Sequence, residues 1–310
     1  MQTPEPGAKI VVVVGPTAVG KSDLAIRLAE ECGGEIVNAD SLQVYRGMDI
    51  GTAKTPPSVR RRIPHHLIDI LEPDEPFSAA DFRKEADRAI ADIVGRGKRV
   101  VVVGGTGLYI RALLHGLADS PSGDGPVRRE LEVLAREAGP EELHRLLAAV
   151  DPASAARLSP RDQLRVIRAL EVYRVTGRPM SAFLTEHRFA ERRYRALKIG
   201  LNLPREDLYR RIDERVDHMM EAGLVAEVMG LLGQGLSPDL KPLKAIGYKE
   251  ICGYLAGAWT LEEAVRLIKR NTRHYAKRQL TWFKSDPEII WLDYPDSFAT
   301  ISGNVIEYYD

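Results

Sequence analysis

An eight-residue segment near the N-terminus constrains the fold of this chain more than any other feature. Residues Gly15–Ser22 read GPTAVGKS and fit the pattern G-x-x-x-x-G-K-[S/T]. The aliphatic run Lys9–Val14 precedes the segment, and Ser22–Cys32 follows it with apolar residues at helical spacing. A strand, a glycine-rich turn and a helix N-terminus direct backbone N–H groups at one anion. The sequence therefore predicts a phosphate-binding loop, or P-loop.

Each residue of this loop is a candidate for binding a diphosphate or a nucleotide. The candidates are Gly15, Pro16, Thr17, Ala18, Val19, Gly20, Lys21 and Ser22. Lys21 supplies a point charge, and the Ser22 hydroxyl is a candidate ligand for Mg²⁺. The pattern predicts a diphosphate or triphosphate ligand and does not specify ATP.

Strands and helices alternate after the P-loop. We predict strands over Glu35–Ala39 and Arg99–Val103, with a helix over Phe77–Val94 that Ser78 can cap. This alternation is typical of an α/β protein with a central, mostly parallel sheet flanked by helices, as in P-loop NTPases. We therefore assign residues 1–118 to the first part of a P-loop core.

The composition and the predicted secondary structure of the sequence change after Leu117. A linker at Pro121–Pro126 leads into helical sequence up to about Arg195, so residues 119–197 are predicted to form an all-helical insertion. Residues 198–310 would complete the core. Its predicted elements are strands over Lys198–Leu203 and Ile289–Leu292, and helices over Arg205–Met220, Leu224–Leu232 and Leu261–Phe283, the last with a capping box at Thr260 and Glu263.

The charge balance of 44 basic and 44 acidic residues hides two basic segments. Arg157–Lys198 has eleven Lys or Arg against four Asp or Glu, and Glu262–Lys284 has seven against two. Basic faces attract phosphate backbones, although Arg-rich helices are also ordinary solvated surfaces. On the second segment one helical face presents Arg266, Arg270, Arg273 and Lys277. We favour phosphate contact over internal salt bridges there, because few acids lie nearby in sequence.

Two cysteines without CxxC spacing, Cys32 and Cys252, indicate a reducing compartment and a cytoplasmic location. The aliphatic run Ile10–Val14 is too short to cross a membrane. The segment Met1–Lys9 lacks the features of a signal peptide and is expected to be a frayed tail. We expect a monomer without a membrane partner.

Two more loops follow predicted strands of the same sheet. A P-loop NTPase carries an acid at the end of an aliphatic strand to help hold Mg²⁺, whereas Val100–Val103 ends in a Gly104-Gly105-Thr106 loop. An acid occurs instead at Asp40, after the second strand, where open α/β sheets bind ligands. Asp40 is therefore a candidate for acting on a second reactant. The alternative is that Asp40 caps the turn that begins at Ser41.

Blocks of residues along nearly the whole chain resemble the bacterial tRNA dimethylallyltransferases. The blocks are Gly15–Ser22, Asn38–Lys54, His65–Asp69, Phe77–Phe82, Gly104–Leu117, Arg165–Pro179, Lys244–Lys249 and Lys277–Phe283. The family P-loop usually has Ser and Thr where this chain has Val19 and Ser22, a change that keeps the hydroxyl and the backbone cradle. The resemblance implies dimethylallyl transfer from its diphosphate to N6 of the adenosine 3′-adjacent to the anticodon (tRNA position 37), with Mg²⁺.

The resemblance also implies roles for single residues. Asp40 would act as general base on the adenine amine, Lys21, Ser22 and Arg211 would serve the diphosphate, and Thr106 would bind near the target nucleotide. Contacts with the anticodon stem-loop would come from Asp40, Ser41, Leu42, Gln43, Thr106, Arg128, Gln163, Leu164, Arg165, Val166, Ile167, Lys244, Ala245, Ile246, Gly247, Tyr248, Lys249, Asn271, Arg273, Lys277 and Arg278. Three alternatives stay open: a small-molecule P-loop kinase, an isopentenyltransferase for free AMP, and a non-catalytic RNA-binding P-loop protein.

Overall fold

The computed structural model describes residues 7–121, 123–187, 191–295 and 297–310. The chain divides into two compact units, of which the first runs to Leu114 and resumes at Arg192. The second unit is His115–Glu191. Residues 1–6 of the predicted frayed tail lie outside the described part.

A six-stranded parallel sheet forms the centre of the first unit. Its strands are β1 (Lys9–Val14), β2 (Glu35–Asn38), β3 (His65–His66), β4 (Val100–Val103), β5 (Arg195–Asn202) and β6 (Ile290–Asp293), in the order β3-β2-β4-β1-β5-β6. Alternate residues of a strand point to opposite faces, and both faces of β1 are buried. Val12 belongs to the core on one side and Val13 to the core on the other. The predicted α/β class with a parallel sheet is therefore confirmed.

The described residues also form fourteen helices. They are α1 (Lys21–Cys32), α2 (Pro57–Arg62), α3 (Ala79–Gly95), α4 (Gly107–His115), α5 (Gly125–Ala138), α6 (Pro140–Val150), α7 (Pro152–Ala155), α8 (Gln163–Thr176), α9 (Met180–His187), α10 (Arg205–Glu221), α11 (Leu224–Gly233), α12 (Tyr248–Leu255), α13 (Leu261–Lys284) and α14 (Phe298–Tyr309). Among the described residues, no helix is both long enough and apolar enough to cross a membrane.

Helix α3 and helix α13 start at the predicted caps, but by different means. Ser78 and Asp81 form a full capping box at α3. At α13 the Thr260 hydroxyl accepts the Glu263 N–H at 3.2 Å, as predicted. The Glu263 carboxylate instead binds the Arg266 guanidinium through two bonds, at 2.6 and 2.7 Å. A charged donor outcompetes a backbone N–H for the carboxylate, so the predicted reciprocal bond is wrong.

The second unit is built from α5 to α9 around its own apolar core, which includes Leu131, Leu143 and Leu147. A buried acid, Glu171, binds Arg128 at 2.9 Å and Arg168 at 2.7 Å. Burial alone would raise the pKa of Glu171, but these two guanidinium groups lower it below its usual value. The strand that follows this unit begins at Arg195, three residues before the predicted start, because Arg195 pairs with Lys9 of β1.

Candidate active site

The P-loop connects β1 to α1 in the predicted order. Gly15 has φ 143°, and a Cβ added there would lie 2.8 Å from the Leu201 carbonyl oxygen, so only glycine fits. Gly20 caps α1 with φ 104°. The Lys21 ammonium donates to the Pro16 carbonyl at 2.7 Å and so folds back over its own loop. The Ser22 side chain is exposed in the first turn of α1.

A pocket of about 290 Å³ opens where the P-loop meets the ends of β2 and β4. Its walls include Thr17, Ala18, Gly20, Lys21, Ser22, Asp40, Gln43, Gly104, Gly105, Arg211 and Arg215. The structure thus brings together the P-loop, the Asp40 loop and the Gly104–Gly105 loop, as the sequence predicted for one sheet edge. Strand β4 lies between β1 and β2, so the glycine loop, and not Asp40, follows the strand next to β1.

Lys21, Arg215 and Asp40 influence one another's charge in this pocket, whose walls also include Arg211 and Asp23. Burial lowers the pKa of Lys21 to about 7, the positive charge of Arg215 acts in the same direction, and the negative charge of Asp40 opposes both. Burial also lowers the pKa of Arg215, while Asp40 opposes the shift. Lys21 and Arg215 therefore share a desolvated space beside Asp40, and a multiply charged anion would relieve their mutual repulsion.

Asp40 is fixed at the mouth of its loop. Its Oδ1 accepts the Leu42 N–H at 2.9 Å and the Gln43 N–H at 3.4 Å, so the alternative that Asp40 caps the following turn is correct for this oxygen. Both bonds use Oδ1, which leaves Oδ2 as the candidate proton acceptor. The Thr106 hydroxyl accepts the Ser41 N–H at 3.2 Å, which joins the two loops beside the carboxylate.

Arg215 is a pocket residue that the sequence reasoning missed. It lies one helical turn after Arg211 on α10, and both side chains line the pocket. Arg215 also donates to the Thr52 carbonyl at 3.4 Å. The i, i+4 spacing of the two arginines was the available signal, because residues at this spacing share a helix face.

Helix α13 contributes a second missed residue. The buried Gln279 accepts the Thr17 N–H through Oε1 at 2.8 Å and donates through Nε2 to the Gly105 carbonyl at 3.0 Å. One amide therefore fastens the P-loop to the glycine loop. Tyr275 lies one turn earlier, and burial raises the pKa of its hydroxyl with a smaller contribution from Asp40. The sequence offered no local signal, since Gln279 and Thr17 are 262 residues apart.

The predicted RNA-contacting residues of the first unit divide by exposure. Lys244, Lys249, Lys277 and Arg278 are exposed, and Ala245, Ile246, Asn271 and Arg273 are half-buried. Gly247 and Tyr248 are buried, so we assign the Tyr248 side chain to packing instead of RNA contact. Arg273 binds Asp213 of α10 at 2.7 Å and Arg266 binds Glu263 at 2.6 Å, so the internal salt bridges that we disfavoured are present at two positions of this face.

In the second unit the predicted RNA contacts fall at the start of α8, apart from Arg128 on α5. Gln163, Leu164 and Arg165 are exposed, and Leu164 keeps 83% of its surface accessible. Val166 and Ile167 pack in the core of this unit, so their side chains are not available to RNA. Arg128 is partly exposed beside the buried Glu171. The first turn of α8 therefore presents one short exposed segment, Gln163–Arg165, on an otherwise packed helix.

The parallel sheet, the P-loop and the basic pocket beside Asp40 define a P-loop protein of the α/β class. The chain belongs to the IPP transferase family, whose family model matches residues 43–286. A second family model, isopentenyl transferase, matches residues 8–61.

Curated relatives and solved structures agree with this membership. A "tRNA dimethylallyltransferase 2" of Geotalea uraniireducens is 65% identical over 301 residues, which cover 97% of each chain. A tRNA dimethylallyltransferase of Geobacter sulfurreducens is 58% identical, again over 97% of each chain. The structure of a tRNA isopentenylpyrophosphate transferase from Bacillus halodurans matches with TM-score 0.72 and 42% identity over 97% of this chain and 96% of that one. A eukaryotic dimethylallyltransferase acting on tRNA matches with TM-score 0.77 and 33% identity over 93% of this chain and 74% of that one.

Proposed function

We propose that this chain transfers a dimethylallyl group from dimethylallyl diphosphate to N6 of the adenosine 3′-adjacent to the tRNA anticodon. The observation that carries the proposal is one pocket in which a P-loop, two arginines and a lysine face a carboxylate. Relatives of this chain, named as tRNA dimethylallyltransferases, match it over almost its full length. The glycine loop after β4 replaces the acid that helps hold Mg²⁺ in P-loop NTPases, and a P-loop that binds a leaving diphosphate has no nucleotide to hydrolyse.

The chemistry divides between the two sides of the pocket. When the allylic C–O bond breaks, negative charge grows on the diphosphate, and the loop amides, Lys21, Arg211 and Arg215 would stabilise it. The adenine nitrogen forms the new N–C bond and becomes acidic as it does so. Asp40 would accept its proton, with Thr106 holding the nucleotide nearby. The base has to leave its stack to reach this pocket, and Ser41, Leu42 and Gln43 would line its path.

Mg²⁺ fits the oxygen donors of this site. The exposed Ser22 hydroxyl lies at the start of α1 and would ligate the ion together with phosphate oxygens and water, the environment that Mg²⁺ favours in phosphoryl sites. When bound, the ion would neutralise part of the charge on the diphosphate. The exposed Gln163–Arg165, Lys244, Lys249, Lys277 and Arg278 would hold the anticodon stem-loop mainly through its backbone.

Transfer of label tests this function. The chain is incubated with radiolabelled dimethylallyl diphosphate, Mg²⁺ and either tRNA or AMP, in the absence of ATP. We expect label in tRNA alone, and label in AMP or a requirement for ATP would reject the proposal. The variant Asp40→Ala should lower the transfer rate by a factor on the order of 10² to 10⁴, the usual contribution of a general base, while tRNA binding by filter retention persists. An unimpaired variant would reject the role of Asp40 as base.

A further inference from the structure

A single carboxylate on α11 gathers four hydrogen-bond donors. Glu227 accepts the backbone N–H groups of Asp49, Ile50 and Gly51 at 2.9, 2.6 and 3.1 Å. Its Oε1 also accepts the Tyr248 hydroxyl at 2.7 Å. Three successive amides converging on one anion fix a turn in a single conformation, because charge-assisted bonds of this kind are roughly twice as strong as neutral ones. We call Glu227 and its four donors the Glu227 clamp.

The clamp also gives a structural role to residues that take no part in the proposed chemistry, within the sequence blocks Asn38–Lys54 and Lys244–Lys249. Tyr248 is fully buried and packs against Gly51, where an added Cβ would lie 2.6 Å from the ring. Burial, followed by the nearby Glu227, raises the pKa of Tyr248, so its hydroxyl stays a donor. Lys54 closes the other end of the turn, where its buried ammonium binds the Tyr45 carbonyl at 2.8 Å and Asp69 at 2.6 Å.

The clamped turn leads directly to the pocket. The Thr52 carbonyl, next to the last clamped amide, accepts the Gln43 Nε2 at 3.1 Å and the Arg215 Nη2 at 3.4 Å. Both of these side chains line the pocket with Asp40. Gln43 lies on the side proposed for the adenine, and Arg215 faces Lys21 on the side proposed for the diphosphate. One carbonyl oxygen therefore orients a side chain for each substrate.

We propose that Glu227 is a positioning residue of the transfer reaction, which holds the Thr52 carbonyl where it orients Gln43 and Arg215. This inference rests on the proposed function, and it adds a role for a residue outside the pocket. Removal of the carboxylate leaves three backbone N–H groups without their acceptor, so the turn should rearrange. Misplacement of the two pocket side chains should then lower transfer without removing any group that touches a substrate.

Hydrogen exchange tests the clamp without reference to activity. The backbone amides of Asp49–Gly51 are followed by mass spectrometry in the unaltered chain and in the variants Glu227→Ala, Glu227→Gln and Glu221→Ala. Glu221 is an exposed residue at the end of α10 and serves as the control. We expect exchange in Glu227→Ala to accelerate by about tenfold or more, an intermediate change in Glu227→Gln, and none in Glu221→Ala. Unchanged exchange in Glu227→Ala would overturn the clamp.

Double-variant kinetics test the positioning role. Glu227→Ala should lower kcat/KM for tRNA dimethylallylation on the order of 10- to 100-fold, with partial recovery in Glu227→Gln. The loss should be much smaller when Gln43→Ala or Arg215→Ala is already present, because the same side chains carry the effect. A full multiplicative loss in both backgrounds, or none in the unaltered one, would overturn the role.

Folding and function are kept apart in these measurements. If Glu227→Ala does not fold, Tyr248→Phe removes one donor and keeps the ring against Gly51, and the same non-additivity is expected on a smaller scale. Wild-type kinetics in Tyr248→Phe and Glu227→Gln would then reject the role. Absence of transfer by the unaltered chain would overturn the proposed function and with it the role of Glu227, while exchange would still report whether the clamp exists.

Discussion

Lys21 is the residue whose protonation should change most on ligand binding. Its pKa of about 7 in the free pocket means that much of it is neutral at pH 8. A diphosphate favours the charged form, so binding at pH 8 should take up a proton and affinity should fall as pH rises above 7. Calorimetry of diphosphate binding in buffers of different ionisation enthalpy measures this uptake, with Lys21→Ala reporting the titration of the ligand itself.

Replacement of Arg215 provides a control for this prediction. Its charge lowers the pKa of Lys21, so Arg215→Ala should raise that pKa and reduce proton uptake at pH 8. Greater uptake in Arg215→Ala would contradict the electrostatic account.

The pH dependence of the stability of the free chain follows from the same shift in the pKa of Lys21. A lysine depressed below its unfolded value of 10.5 binds fewer protons folded than unfolded, so its contribution to stability rises with pH between about 7 and 10.5.

Among the elements, α13 combines two tasks on two of its faces. The buried Gln279 joins the P-loop to the glycine loop, whereas Lys277 and Arg278 are exposed. Gln279→Leu keeps the side-chain volume and removes both bonds. We expect kcat/KM for dimethylallyl diphosphate to fall on the order of 10- to 100-fold while the affinity for tRNA stays unchanged. Steady-state kinetics with each substrate varied in turn measure the two effects.

Thr281 offers a matched control on the same helix. It is exposed, and its hydroxyl bonds only the Lys277 carbonyl within α13, at 3.0 Å among the described contacts. Thr281→Ala should therefore leave both kinetic parameters near those of the unaltered chain. Equal losses in dimethylallyl diphosphate and tRNA binding by Gln279→Leu would show that the helix has moved as a whole and would contradict a local role.

Sequence predicted those elements that local physics determines. The continuous valine run made β1 recognisable as a strand buried on both faces, and Ser78 is the N-cap of α3 as predicted, although the helix begins at Ala79 and not at Phe77. The P-loop and Asp40 loop were predictable because strands of a parallel sheet end at a common edge. The pairing of Gln279 with Thr17 and the burial of Tyr248 depend on contacts between distant segments, which no local pattern encodes. Asp213, the partner of Arg273, is also distant from it in sequence, so this ion pair could not be predicted either.

At the scale of the whole molecule, the two segments of the first unit that flank residues 115–191 meet at their ends. The Arg193 N–H donates to the Leu114 carbonyl at 3.1 Å. The chain ends that a deletion of residues 115–191 would leave are therefore next to each other. The second unit has its own apolar core, including Leu131 and Val166, and a buried ion-pair network at Glu171. Each unit therefore has the contacts that a separately folding body requires.

Excision of the helical unit should separate diphosphate binding from RNA binding. Replacing residues 115–191 with about five Gly and Ser residues spans the short gap between Leu114 and Arg192 at little entropic cost. The shortened chain should unfold cooperatively, keep diphosphate affinity within about threefold because the pocket residues all remain, and lose most tRNA affinity and transfer with Gln163–Arg165 removed. Thermal denaturation, calorimetry and filter binding measure the three properties. Full tRNA binding by the shortened chain would place RNA recognition on the first unit alone, and lost diphosphate binding would show that the pocket depends on the helical unit.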